Sequence, residues 1–178
     1  VKDLSDVYEL GVTTFEHIID KSGGVIQTST VVYKYNKFRD LRFREEFFNG
    51  QDFFFWMDIG QLGASAVFST KVGCENGEGI NIYQGSGWGT VNFLKRTKNE
   101  IKIWTSVDRI YALTPEQKNK NDHKIKLTKE SFVHGLIHEL RHRKRLPFRI
   151  IVEAIKLSPS LVFYIPIYTI KIIFKKVK

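Results

Sequence analysis

His138-Glu139-Leu140-Arg141-His142 is the stretch of this 178-residue chain whose residue types and spacing match metal chemistry. On a helix, residues four apart point the same way, so both imidazoles can ligate one zinc ion while Glu139 polarises a zinc-bound water. A catalytic zinc needs a third protein ligand. His134 lies two helical turns before His142, and three ligands on one straight helix span too far for a single ion at ~2.1 Å bonds. Glu153 is the only carboxylate after His142, and it lies beyond Pro147. Arg141 sits between the two histidines, with Arg143, Lys144 and Arg145 just after them, and these cations oppose a divalent metal electrostatically. The reading adopted is therefore a cationic helix face carrying His134, His138 and His142, with no metal and no cofactor expected. His138, Glu139 and His142 stand as the alternative metal set.

Other stretches offer less. Asp58-Ile59-Gly60-Gln61-Leu62-Gly63 resembles, over one turn, the nucleotide-binding loop of Rossmann-like methyltransferases. The acid that should end a following strand is missing, so tight packing is the expectation. Gly85-Ser86-Gly87-Trp88-Gly89 lacks the Gly-Lys-Ser/Thr ending of a phosphate loop. Cys74 is the only cysteine and has no nearby histidine in sequence, which excludes a disulfide framework and leaves a thiol nucleophile unsupported.

Charge points elsewhere. The net charge of +9 is carried entirely by residues 141–178, which hold ten Lys and Arg residues against the one acid Glu153; residues 1–140 are neutral. A neutral body with a basic tail fits an anionic partner: phospholipid headgroups, RNA or an acidic protein surface. The tail also contains the most apolar run, LVFYIPIYTIKIIF at 161–174. Fourteen helical residues cover about 21 Å, short of the ~30 Å hydrocarbon core, so the run is not expected to span. As a helix it places Tyr164, Tyr168, Lys171 and Lys175 on one stripe, with Leu161, Phe163, Ile165, Ile172 and Ile173 on the other faces. Tyr and Lys beside an aliphatic face suit an interfacial helix. Arg145, Arg149, Tyr164, Tyr168, Lys171 and Lys175 are accordingly the expected membrane or partner contacts.

The elements that would position these residues read as follows. Residues 5–20 have helical apolar spacing with Ser5 as N-cap, and 25–36 is a Val-, Thr- and Tyr-rich strand. Residues 37–48 return to helix. The aromatic run 53–57 reads as a buried strand or the start of a membrane segment. Within 53–72 the reading adopted is soluble core, with a membrane helix as the alternative, and in soluble core Asp58 must be exposed or paired with a cation such as Arg39 or Arg42. Residues 90–95, 100–105 and 107–113 form three strands of an antiparallel meander, followed by a polar loop at 115–122. A helix over 128–145 with Thr128 as N-cap runs from the body into the tail, and a short helix over 148–157 follows. The fold class is α+β: N-terminal helix and strand, central antiparallel β meander, and C-terminal helices with a basic amphipathic tail. Two regions are expected, a body at 1–140 and a docking tail at 141–178.

Tyr33-Lys34-Tyr35-Asn36, Arg39, Arg42, Phe47-Phe48, Gly50-Gln51 and Phe55-Trp56 together resemble small mitochondrial inner-membrane proteins of the transmembrane protein 223 kind. In that family a strand and an Arg-rich turn lead into a GQ-x-x-FW helix. The resemblance implies a mitochondrial accessory or assembly protein without catalysis. The expected function is then a non-enzymatic accessory subunit of a large inner-membrane assembly of the respiratory-complex type. Its expected partners are other subunits and anionic lipid. One alternative is an RNA-contacting mitochondrial ribosomal protein that binds phosphates through residues 141–149. The other is a zinc-dependent peptidase using His138, Glu139 and His142.

Overall fold

A computed structural model describes residues 6–9, 14–21, 26–47, 49–63, 66–75, 85–142 and 146–175. These fall in two compact units, 1–79 and 80–178. The described residues are mostly helical, with six α-helices and one small two-stranded antiparallel sheet, an α+β composition.

In the first unit, β1 (Val7–Glu9) pairs with β2 (Val67–Ser69), and Tyr8 stacks on Phe68 across the pair. Helix α1 (Thr14–Lys21) buries Phe15, Ile18 and Ile19. Helix α2 (Gln51–Gln61) buries Phe54, Phe55, Trp56, Met57 and Ile59. The two helices meet at Gly60, where a Cβ would lie 2.6 Å from the Phe15 backbone nitrogen. Between them the chain is irregular, with short 3-10 turns at Thr28–Thr30 and Tyr35–Lys37. Buried Phe47 lies against Phe54, their centroids 4.2 Å apart, and ties this irregular segment to α2.

The second unit is built on an antiparallel hairpin. Helix α3 (Val91–Ile110) starts at Thr90, whose hydroxyl accepts from the Phe93 amide. Helix α4 (Pro115–Arg141) starts at a capping box, in which Thr114 and Gln117 exchange side-chain and backbone bonds and Pro115 fills the first turn. The hairpin closes on small and polar groups: Asn121 donates to the Trp104 carbonyl, Lys124 lies 4.5 Å from the Trp104 ring centroid, and Gly135 lets Leu94 and Phe93 approach. Helices α5 (Phe148–Leu157) and α6 (Leu161–Lys175) pack on α3 and α4 respectively. Ile150, Ala154 and Leu161 join Phe93, Leu94, Ile101, Phe132 and Leu136 in one core.

Several expectations need correction. Among the described residues of the expected first helix, 7–9 are strand and 14–20 helical; Ser5 and residues 10–13 lie outside the described residues. Residues 26–47 form neither the expected strand nor the expected helix. Of residues 53–57, Phe54, Phe55, Trp56 and Met57 are buried, and the run is helical rather than a strand. Asp58 does pair with a cation: Arg44, at 2.9 and 3.2 Å, takes the role expected of Arg39 or Arg42. The central meander is replaced by α3. Its Val, Ile and Thr residues favour strands, yet Phe93, Leu94, Thr97, Ile101, Trp104 and Val107 lie on one helical face, and burying that face outweighs the propensity. The polar stretch 115–122 belongs to α4, and Thr128 lies inside that helix rather than at its start.

The two glycine contacts generate a graded expectation. Gly60→Ala drives a methyl into fixed backbone and should lower stability by about 2 kcal/mol or more, whereas Gly135→Ala meets side-chain ends and should cost about 1 kcal/mol. Urea midpoints measure both, and an unchanged midpoint for Gly60→Ala would contradict the α1–α2 crossing.

Candidate functional site

The HExxH residues are divided by the helix that carries them. Glu139 is turned into the protein at 1% exposure; His138 is half-buried, its Nδ1 lying 3.8 Å from the Glu139 carboxylate, and its ring stacks on that of exposed His142 with centroids 4.1 Å apart. His142 Nδ1 lies 2.9 Å from the His138 carbonyl, as it would for a donated bond. Trp88 sets its edge against His138, and Gly89 sits so close that a Cβ there would lie 2.9 Å from the His138 ring. His134, one turn earlier, meets Tyr168 of α6 at 5.6 Å between ring centroids. The three histidines thus form an aromatic ladder with Trp88 and Tyr168. Among the described residues, no group of three or more His, Cys, Asp or Glu side chains is placed to hold a metal ion. Cys74 is exposed, and Gly60 packs closely against the Phe15 backbone.

The C-terminal helices are tied to the hairpin by polar links at their edges. Glu153 of α5 accepts from Lys98 of α3 at 2.6 Å and from Arg149 at 3.0 Å. These two hydrogen bonds hold its carboxyl below the usual glutamate value of 4.5. Ser160, just before α6, accepts from Lys129 of α4 at 2.8 Å, and burial lowers the Lys129 ammonium from its ordinary value. Tyr164 donates to Glu130 at 2.9 Å. Burial, and then that bond, push the Tyr164 phenol far above its ordinary value; Tyr168 is raised as well, by burial and by the nearby Glu130 charge.

The structure therefore divides the expected contact residues. Tyr164 and Tyr168 are half-buried against α4, where they meet Glu130 and His134 and hold α6 to its own hairpin. Lys171 is exposed, and Arg149 is exposed but bound to Glu153. Arg145 and the side chain of Lys175 lie outside the described residues.

The face opposite the tyrosines was missing from the sequence reading, apart from Phe163. Phe163 (72% exposed), Ile167 (55%), Ile170 (54%) and Phe174 (68%) recur at spacings of four, three and four, forming one straight stripe along α6. Val162 lies beside it. On α5, Phe148 and Val152 are exposed beside Arg149 and Lys156. The signal was present in the sequence: Phe163, Ile167, Ile170 and Phe174 recur at helical spacing within the apolar run. No single helix among those described is long and apolar enough to cross a membrane, but α5 and α6 together have the composition for it and meet at a bend of 116°.

Two outcomes follow. Metal analysis of the purified chain should find no stoichiometric zinc; one zinc per chain, lost in His138→Ala, would contradict the ladder reading. Glu153→Gln should lower the urea midpoint at neutral pH. Because the folded-state pKa of Glu153 is depressed, its contribution is complete above the ordinary value of 4.5 and is lost as the pH falls through the depressed value. The gap from the parent should accordingly close in acid, and a pH-independent gap would show that the Lys98 and Arg149 links are not its source.

No protein-family model, no curated protein and no solved structure matches the chain.

Proposed function

We propose that this protein is a non-enzymatic accessory subunit of a large assembly at the mitochondrial inner membrane, of the respiratory-complex type, attached to anionic lipid through its C-terminal helices. The observation that carries the attachment is the apolar stripe of Phe163, Ile167, Ile170 and Phe174, each more than half exposed on a well-packed helix. The resemblance of residues 33–56 to small mitochondrial inner-membrane proteins supports the setting. The excess of cations in 141–178 supports an anionic partner.

Magnitudes favour a peripheral, reversible attachment. Full burial of a Phe or Ile side chain contributes roughly 1.5 to 3 kcal/mol, so about half of that from each of four half-exposed residues gives roughly 3 to 6 kcal/mol. That is comparable to one myristoyl chain, which binds membranes only marginally. Lys156 and Lys171, exposed beside the apolar side chains, each add about 1 kcal/mol near an anionic surface.

Fractionation of mitochondria containing the tagged chain tests the proposal. The chain should sediment with inner membranes, migrate within a high-mass complex on native gels, and be released by alkaline carbonate. Recovery as a free monomer in the soluble fraction would contradict it. Replacing Lys156 and Lys171 with Gln should weaken attachment at low salt and have little effect at high salt, where surface charges are screened.

A further inference from the structure

We infer that α5 and α6 enter a single leaflet of an anionic phospholipid bilayer as a bent, in-plane wedge, with the α6 stripe at acyl depth and the α5 cations at the headgroups. The inference rests on the membrane attachment proposed above and specifies its geometry, since the composition of the helix pair would equally permit a broken span.

The first argument is length. Helix α5 has ten residues and α6 fifteen, about 15 and 22 Å, and neither alone reaches across a ~30 Å core. Only an aligned pair could cross, and the observed bend is 116°. The second argument is what straightening would break. Glu153 is bound to Lys98, Ser160 to Lys129 and Tyr164 to Glu130, so each segment of the pair, and the turn between its helices, is tied to α3 or α4. Carrying α5 and α6 across the bilayer would either sever these three links, leaving polar groups in hydrocarbon, or drag the charged hairpin in with them. It would also strip Ile150, Ala154 and Leu161 from the core they share with Phe93 and Leu94. A one-leaflet seat breaks none of these contacts and still covers the exposed stripe.

The third argument is the arrangement of charge. Phe163, Ile167, Ile170 and Phe174 carry no charge among them, and Lys171 flanks the stripe on one side. On α5 the exposed Phe148 and Val152 alternate with exposed Arg149 and Lys156. A stripe free of charge suits acyl chains, whereas mixed apolar and cationic positions suit the headgroup boundary. A protein groove would have to match the same mixture with acids of its own, while an anionic leaflet supplies both layers without specific complementarity.

Depth and sidedness decide the matter. In a Cys74→Ser background of the full chain, single cysteines replacing Phe148, Phe163 or Phe174 are labelled with an environment-sensitive fluorophore. The protein is then added to phosphatidylcholine–cardiolipin vesicles and to pure phosphatidylcholine vesicles. Binding should be at least roughly tenfold stronger to the anionic vesicles and should fall with salt. Labels at 163 and 174 should be quenched by lipids brominated near the headgroup end of the acyl chain, the label at 148 should report a shallower position, and none should respond to a quencher trapped inside the vesicles. Binding with the label at 148 or 174 exposed to the trapped quencher would overturn the one-leaflet geometry while leaving membrane attachment standing. Absence of binding to either vesicle would overturn both, and self-association in solution that buries the same labels would instead identify a second copy of the chain as the occupant of the stripe.

Discussion

The C-terminal helices rest on the close crossing of α3 and α4 at Gly135. Leu94 and Phe93 approach the α4 backbone there because position 135 has no side chain. That approach brings Phe132 and Leu136 together with Leu94 and Ile101, and the patch they form receives Ile150, Ala154 and Leu161. A side chain at 135 would press on Leu94 and Phe93, two members of the core on which α5 and α6 sit. The site is therefore positioned by a contact several residues from any group that would touch a partner.

Once seated, α6 is sorted by its own circumference. Its inner side gives Leu161 to the core and Tyr164 and Tyr168 to Glu130 and His134 of α4. Its outer side is left with Phe163, Ile167, Ile170 and Phe174. Apolar area alone would attach the chain weakly, and cations alone would attach it only at low salt. The combination, on a helix already folded against its hairpin, avoids the ordering cost that a disordered tail would meet on binding. The HExxH residues share this packing: His134 meets Tyr168, His138 meets Trp88, and Glu139 is buried in the interior beside the His138 ring.

The tail was the most legible part of the sequence, because 148–157 and 161–174 carry strong apolar patterns bounded by Pro147 and the Ser158-Pro159-Ser160 turn. Its orientation was less legible. Tyrosines read as amphipathic surface residues turn inward because Glu130 supplies a hydrogen-bond partner from a distant segment. Residues 90–113 misled for a physical reason, since β-branched Val91, Ile101, Ile103, Thr105 and Val107 mimic strands while the helical face is set by tertiary burial. The start of α4 was readable in hindsight: Thr114, Pro115 and Gln117 are a capping signal, obscured by the polar run that follows. That run stays helical because Asn121 and Lys124 find partners on Trp104. For 26–47, the Val-, Thr- and Tyr-rich run and the alternating Phe and charged residues after it read as strand and helix, but the segment is irregular and is fixed instead by Phe47 against Phe54 and Arg44 against Asp58.

The central claim is that α6 is a folded part of the second unit before it meets any partner, with only its outer stripe available. Amide hydrogen exchange across residues 161–172, in water and with phosphatidylcholine–cardiolipin vesicles, tests this most directly. The account predicts slow exchange in water, comparable to α3 and α4, changing little when vesicles are added. Fast exchange in water that becomes slow only on vesicle binding would show a tail that folds on its partner, and would contradict it.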